Sequence, residues 1–79
     1  MRAGDFIRLK QPFTPTSNRM NAYRFGQVVA LATVDFDQMV LVHLCDRTGG
    51  AILRDERGQP ILYGFWHYEV EHWSDRSPA

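Results

Sequence analysis

The chain is poor in cysteine and in long apolar runs. Its 79 residues contain one cysteine, Cys45, which cannot form an internal disulfide. Small secreted domains usually need several disulfides, so the sequence favours a reducing compartment. The longest apolar run, residues 28–32, is too short to span a bilayer, and residues 1–11 hold no apolar block of signal-peptide length. We therefore expect a cytoplasmic protein without membrane insertion.

The chain also lacks an excess of charge of either sign. Nine basic residues balance nine acidic ones, whereas a dedicated nucleic-acid-binding surface usually carries net positive charge. The charge is uneven along the chain, however, because five of the nine basic residues lie within the first 24 positions. We therefore expect a surface on which charge is distributed asymmetrically.

The length and composition predict one small ordered domain. Hydrophobic residues make up 44% of the chain and charged residues 23%, which is typical of globular proteins. A domain of this size buries only about 60% of the surface that its unfolded chain exposes, so its stability should be marginal. We place the domain at residues 1–73 and predict that residues 74–79, which offer little to pack, form a disordered C-terminal tail.

Alternating apolar residues predict strands in the first half of the chain. Residues 6–10 alternate, with Ile7 and Leu9 on one side. Residues 11–22 are rich in Pro, Thr and Asn and predict a long irregular loop. Residues 23–34 form the longest predicted strand, and residues 39–45 pair with it as a hairpin across a turn at residues 35–38.

The second half predicts the remaining strands and a corner. Residues 51–54 and 59–63 flank a glycine-containing turn at 55–58, which predicts a second hairpin. Residues 61–65 are strand-like, residues 66–69 form an aromatic and polar corner, and residues 70–73 alternate again. The fold class is therefore all-β, with five or six antiparallel strands curled into a small barrel. Pairing of the last strand with the first would remove an exposed sheet edge. The predicted core consists of Ile7, Leu9, Val28, Ala30, Val40, Val42, Leu44, Leu53, Leu62 and Val70.

A family resemblance agrees with this pattern. The segments GDFIRL at 4–9, GQVV at 26–29 and WHYEVE at 66–71, separated by a long loop and a hydrophobic strand, resemble small SH3-like barrels. The resemblance covers residues 4–73. It implies a one-turn 3₁₀ corner before the last strand, with the long loop on the same side. The chain lacks the acidic long loop and the adjacent tryptophan pair of peptide-binding SH3 domains, so binding of proline-rich peptides is not implied.

Few residue patterns point to catalysis or metal binding. His43 and Cys45 lie two apart on one strand face, and His67 and His72 could complete a metal site only by convergence from separate strands, without a CxxC or HExxH frame. A Cys45 nucleophile would lack a helix N-terminus to lower its thiol pKa. We expect a solvent-facing His43, an inert and half-buried Cys45, no cofactor, no metal and no enzymatic activity.

Aromatic residues are the strongest functional signal. Five of the ten aromatics lie within residues 61–73, and ten exceed what so small a core can hold. The resemblance implies that Phe13, Tyr23, Trp66 and Tyr68 flank one groove, although these rings could instead cap the open ends of the barrel. Tyrosine and tryptophan beside arginine, here Arg24, are typical of interface hot spots.

Two functions follow as alternatives. The favoured one is a non-enzymatic protein–protein interaction module, or a small accessory subunit that docks on a larger complex through this aromatic and arginine surface. The alternative is a small-barrel nucleic-acid-binding protein that uses Arg8, Lys10, Arg19 and Arg24, with base stacking on Tyr23 and Phe13. Added salt should weaken phosphate contacts steeply and a mixed apolar interface much less.

Overall fold

The computed structural model describes residues 1–15 and 21–73. They form five strands, β1 (Phe6–Phe13), β2 (Tyr23–Val34), β3 (Asp37–Cys45), β4 (Leu62–Trp66) and β5 (Val70–His72). A one-turn 3₁₀ helix, His67–Glu69, links β4 to β5 and is called the corner below. Within the described residues the corner is the only helical turn, so the predicted all-β class is confirmed.

The strands form one antiparallel sheet in the order β4-β3-β2-β1-β5. The last strand pairs with the first, as predicted, through Ile7↔His72 and Leu9↔Val70. The prediction of a closed barrel is wrong, because the sheet keeps two edges, β4 and β5. These strands are consecutive in the chain, but the corner carries the chain from one edge of the sheet to the other. The predicted removal of the sheet edge therefore does not occur.

A bulge in β2 exchanges the two faces of that strand. Val28 pairs with Val42 and Ala30 pairs with Leu41, so Val29 is an extra residue without an opposite partner. A bulge of this kind shifts the side-chain alternation by one residue. Leu31 therefore lies on the core side, while Ala30 lies on the outer face and is only half-buried. The predicted core position of Ala30 is wrong for this reason.

The β2–β3 hairpin closes through a two-residue loop, Asp35 and Phe36. Both residues have positive φ, 52° and 65°, as the central residues of a type I′ turn require. This geometry matches the right-handed twist of the two strands. The Phe36 side chain lies at the tip of the hairpin and is fully exposed to solvent, at 104% of its reference area.

The predicted second hairpin is reduced to a single bridge, Arg54↔Pro60, so the described residues contain no sixth strand. Pro60 has no backbone N–H and limits the ladder. The segment is held instead by the Leu53 N–H, which donates to the Leu44 carbonyl (2.8 Å), and by the Ile61 N–H, which donates to the Leu53 carbonyl (3.1 Å). Leu53 therefore lies between the ends of β3 and β4.

The core is built mainly from the inward faces of β1, β2 and β3. Eight of the ten predicted core residues are buried, namely Ile7, Leu9, Val28, Val40, Val42, Leu44, Leu53 and Val70. Besides Ala30, the exception is Leu62, which is 49% exposed because the alternation of β4 turns Phe65 inward instead. Phe6 and Cys45 are also buried, so the prediction of a half-buried Cys45 is wrong.

The predicted loop at residues 11–22 is shorter at its start than expected. Strand β1 continues to Phe13, where it pairs with Tyr23 after an irregular stretch of register. Thr14 and Pro15 follow β1, and Pro15 is buried. Residues 16–20, which include Arg19, and the predicted tail at 74–79 lie outside the described residues.

Candidate functional site

Phe13, the first of the predicted site residues, lies at the end of β1 over the edge of the core. Its ring makes edge contacts with Tyr63 (centroids 5.2 Å apart) and with Phe65 (5.3 Å). Tyr23 is its Cα partner on β2, and both side chains pack against the core while staying partly exposed. These two rings therefore close one end of the core and also present a surface to solvent.

A groove opens between the end of β1 and the corner, with a volume of ≈ 390 Å³. Phe13 and Phe65 supply aromatic walls, and Tyr68 stands on the corner side with 56% of its surface exposed. Lys10 and Glu69 add one charge of each sign. We call this feature the β1–corner groove; its lining residues are Leu9, Lys10, Gln11, Pro12, Phe13, Phe65, Tyr68 and Glu69.

Tyr68 lines the β1–corner groove and also contacts a second aromatic residue, Trp66. Its ring stacks on Trp66, with centroids 6.5 Å apart and ring planes 6° from parallel. The His67 ring makes an edge contact with the Tyr68 ring, with centroids 5.4 Å apart, and His67 Nε2 lies 2.9 Å from Oδ1 of Asp37. Because Trp66 pairs with Met39 on the outer face of the sheet, the Trp66–Tyr68 stack extends the aromatic surface from the groove toward that face.

The other two predicted site residues line a separate hollow of ≈ 360 Å³. Tyr23 and Arg24 lie there with Phe25, Cys45 and Arg47. The structure thus brings Phe13 and Tyr68 together in one groove and connects Trp66 to it through the ring stack. Tyr23 is adjacent to Phe13 in the β1–β2 ladder but opens on the second hollow, together with Arg24.

The residues of the nucleic-acid alternative are distributed over several surfaces. Arg8 is engaged by a carboxylate, with Nη2 2.9 Å from Oε1 of Glu71 on the neighbouring strand. Lys10 lines the β1–corner groove, whereas Arg24 lines the second hollow. The two aromatic residues of the set are divided in the same way, since Phe13 lies with Lys10 and Tyr23 lies with Arg24. Arg19 is outside the described residues.

Sequence reasoning missed an aromatic cluster on the outer face of β1 and β2. Phe25 stacks on Phe6 (centroids 5.9 Å apart) and contacts Trp73 (5.6 Å). The guanidinium carbons of Arg8 and Arg47 lie 4.7 and 5.9 Å from the centroid of the Trp73 ring. The alternation of β1 places Phe6 and Arg8 on one face, but only the pairing with β2 and β5 brings Phe25 and Trp73 beside them.

Two aspartates, Asp46 and Asp5, accept hydrogen bonds from residues close to them in the chain. Asp46 Oδ1 accepts hydrogen bonds from the Thr48 hydroxyl (2.8 Å) and from the backbone N–H of Gly50 (3.0 Å). The Thr48 bond is the main reason that the pKa of Asp46 lies below its ordinary value, and the backbone N–H groups add to the effect. The Arg2 N–H likewise lowers the pKa of Asp5, helped by His72, whose Nε2 lies 3.2 Å away.

The described residues contain no group of three or more His, Cys, Asp or Glu side chains arranged to hold a metal ion. They also contain no helix that is long and apolar enough to cross a membrane. Comparison of the chain with protein-family models, with curated proteins and with solved structures gave no match. The candidate site is therefore defined by its own geometry, namely an aromatic groove continued by the stack of the exposed Tyr68 on the half-buried Trp66.

Proposed function

We propose that this chain is a non-enzymatic protein–protein interaction module, or a small cytoplasmic accessory subunit, that docks on a larger complex through the β1–corner groove. The observation that carries the proposal is the position of Tyr68. More than half of its surface is exposed, yet it stacks on Trp66 and lines the groove together with Phe13. A rigid, amphipathic ring held in this way is typical of interface hot spots.

The fold supports the same proposal. The strand order, together with a 3₁₀ corner between the last two strands, agrees with an SH3-like arrangement whose sheet stays open. In such an arrangement the end of β1 and the corner lie side by side, as the groove requires. Lys10 and Glu69 then give the aromatic walls a mixed-charge rim, which suits a protein surface better than a polyanion.

The test begins with capture of the native partner on the immobilised chain, with bound proteins and bound nucleic acid both identified. Tyr68→Ala and Trp66→Ala should each weaken binding of that partner by at least about 1 kcal/mol, as truncation of a hot spot does. Phe36→Ala is the matched control, because it removes an exposed aromatic ring at the hairpin tip. It should leave the affinity unchanged.

The same variants are unfolded in urea to separate binding from stability. If Tyr68→Ala and Trp66→Ala destabilise the domain but bind the partner as tightly as the parent does, the rings are structural and the proposal is wrong. If nucleic acid is captured instead, with an affinity that falls steeply with salt and depends on Arg24 and Lys10, the nucleic-acid alternative replaces it.

A further inference from the structure

Strand β4 forms an edge of the sheet with which no other strand of the described residues pairs. The Trp66 N–H donates to the Glu69 side chain rather than to its ladder partner Met39. In an antiparallel ladder the backbone groups of alternate residues point the same way. The backbone N–H and C=O groups of Leu62 and Gly64 therefore point away from β3, as the Trp66 N–H does. Among the described residues no strand lies beyond this edge, and the bridged segment that contains Leu53 lies on its β3 side.

The two edges of the sheet differ in how they are protected. The β5 edge is only three residues long and carries Glu71 and His72, and short charged strands resist pairing with another chain. The β4 edge is five residues long, with the sequence LYGFW, and contains no charged residue and no proline. An edge of this composition is a template for a further strand.

The side chains of β4 make this edge complementary to itself. An antiparallel pair of two β4 strands with its two-fold axis at Gly64 places Leu62 opposite Trp66 of the other copy. Both side chains lie on the outer face of the sheet, where Leu62 is 49% exposed. At the centre, Gly64 carries no side chain, and the Met39 side chain covers it on the outer face, where an added Cβ would lie 2.7 Å from Met39 Sδ. The central pair of this arrangement is therefore formed by backbone alone, with no side chain of Gly64 between the two copies.

We propose that a second copy of this chain is the occupant of the β4 edge, and that the two copies pair β4 to β4 in one continuous antiparallel sheet. The Gly64 N–H of each copy donates to the Gly64 carbonyl of the other. Formal net charge is zero for the chain, so the copies do not repel each other through their overall charge. This proposal does not rest on the proposed function, although the two surfaces share Trp66, whose ring stacks on Tyr68 beside the β1–corner groove.

The predicted dimer is weak. A five-residue strand is about 17 Å long, so the strand pair buries less surface than a standard stable interface. The N–H of Trp66 is already bonded to Glu69, which leaves the Gly64 pair as the centre of a short ladder. We expect a dissociation constant in the micromolar range or weaker.

Sedimentation equilibrium over a wide range of protein concentration measures this association. The parent chain should pass from monomer to dimer, whereas Leu62→Lys should raise the dissociation constant at least about tenfold, because lysine on an edge strand opposes pairing. Val34→Lys is the matched control. It replaces a comparably exposed apolar residue, 38% exposed, on a strand away from the β4 edge, and should leave the dimer intact.

Amide hydrogen exchange at high and low concentration tests the register. The Gly64 amide should exchange more slowly as the dimer fills, while the exchange of the Phe36 amide at the hairpin tip should not change. A chain that remains monomeric at all concentrations would overturn the proposal. So would a dimer that Leu62→Lys and Val34→Lys affect equally, or one in which Gly64 gains no protection. Circular dichroism of both variants establishes that they are folded.

Discussion

The side chain of Glu69 accepts a hydrogen bond from the backbone N–H of Trp66, with 2.8 Å between nitrogen and Oε1. This bond closes the corner, because it joins the end of β4 to the last residue of the 3₁₀ turn. It also satisfies a donor that β3 does not use. The corner in turn sets where β5 starts and hence how β5 meets β1.

Glu69→Ala should therefore lower the free energy of unfolding by about 0.5–1.5 kcal/mol, the usual net value of one such hydrogen bond. Glu69→Gln keeps an oxygen acceptor and should cost less. Urea unfolding measures both, with Glu56→Ala as the control, since Glu56 is an exposed glutamate in a turn. Equal losses for all three variants would show that the bond does not stabilise the corner.

Val42 and His43 test which face of β3 is the core. Val42 is fully buried, whereas His43 is half-buried on the opposite face. Val42→Ala leaves a cavity and should destabilise the domain by about 1–3 kcal/mol. His43→Ala should cost clearly less in the same urea titration. The reverse order would mean that the strand register is shifted by one residue.

Phe36 offers a route to higher stability. Its φ of 65° lies in the left-handed region, which costs a residue with a Cβ roughly 1–2 kcal/mol. The ring is fully exposed, so Phe36→Gly removes this strain without loss of packing. We expect the free energy of unfolding to rise by at most about 1 kcal/mol, because the greater freedom of glycine in the unfolded chain offsets part of the relieved strain. Thermal or urea unfolding measures the change.

Gly58 gives the complementary test of the same principle. Its φ is 81°, and an added Cβ would meet nothing within 4 Å. Gly58→Ala should therefore destabilise the domain through backbone strain alone, by about 1 kcal/mol. A neutral result would show that the turn at this position can relax into another conformation.

Asp46 should contribute to the loss of stability in acid. Folding lowers its pKa below the ordinary value of 3.8, chiefly through the Thr48 hydroxyl. A carboxyl group whose pKa is lowered by folding stabilises the fold above its unfolded pKa, and this contribution disappears as the pH falls through the folded pKa. The stability of Asp46→Asn should therefore depend less on pH below 3.8 than that of the parent.

Urea midpoints measured from neutral to acidic pH give this comparison. Glu56→Gln serves as the control for the loss of one acidic group from an exposed turn. Parallel pH curves for the parent and Asp46→Asn would contradict the assignment of the effect to the Asp46 turn.

The strands with clear alternation could be predicted from the sequence, and the irregular features could not. Residues 23–34 were predicted as a strand and form β2 with the same bounds. The run Val28-Val29-Ala30-Leu31-Ala32 is apolar throughout, so it gives no signal for the face exchange at Val29. Leu62 shows the same difficulty, because it lies in a short apolar segment in which either face could be buried.

The candidate site was less accessible to sequence reasoning than the fold. Phe13 and Tyr68 are far apart in the chain, and no local pattern relates them. Only the SH3-like resemblance suggested that the end of β1 lies beside the corner. The cluster of Phe25 and Trp73 was missed because it depends on the packing of three strands, which periodicity within one strand does not reveal.

The pairing of β1 with β5 has a consequence for how the protein is made. Translation produces β1 first and β5 last among the strands, whereas the β2–β3 hairpin needs only neighbouring residues and can form early. One side of β1 stays unpaired on the nascent chain until residues 70–72 have left the ribosome. The sheet is therefore completed only after β5 has emerged, and until then the emerging chain exposes the edge on which β5 will dock.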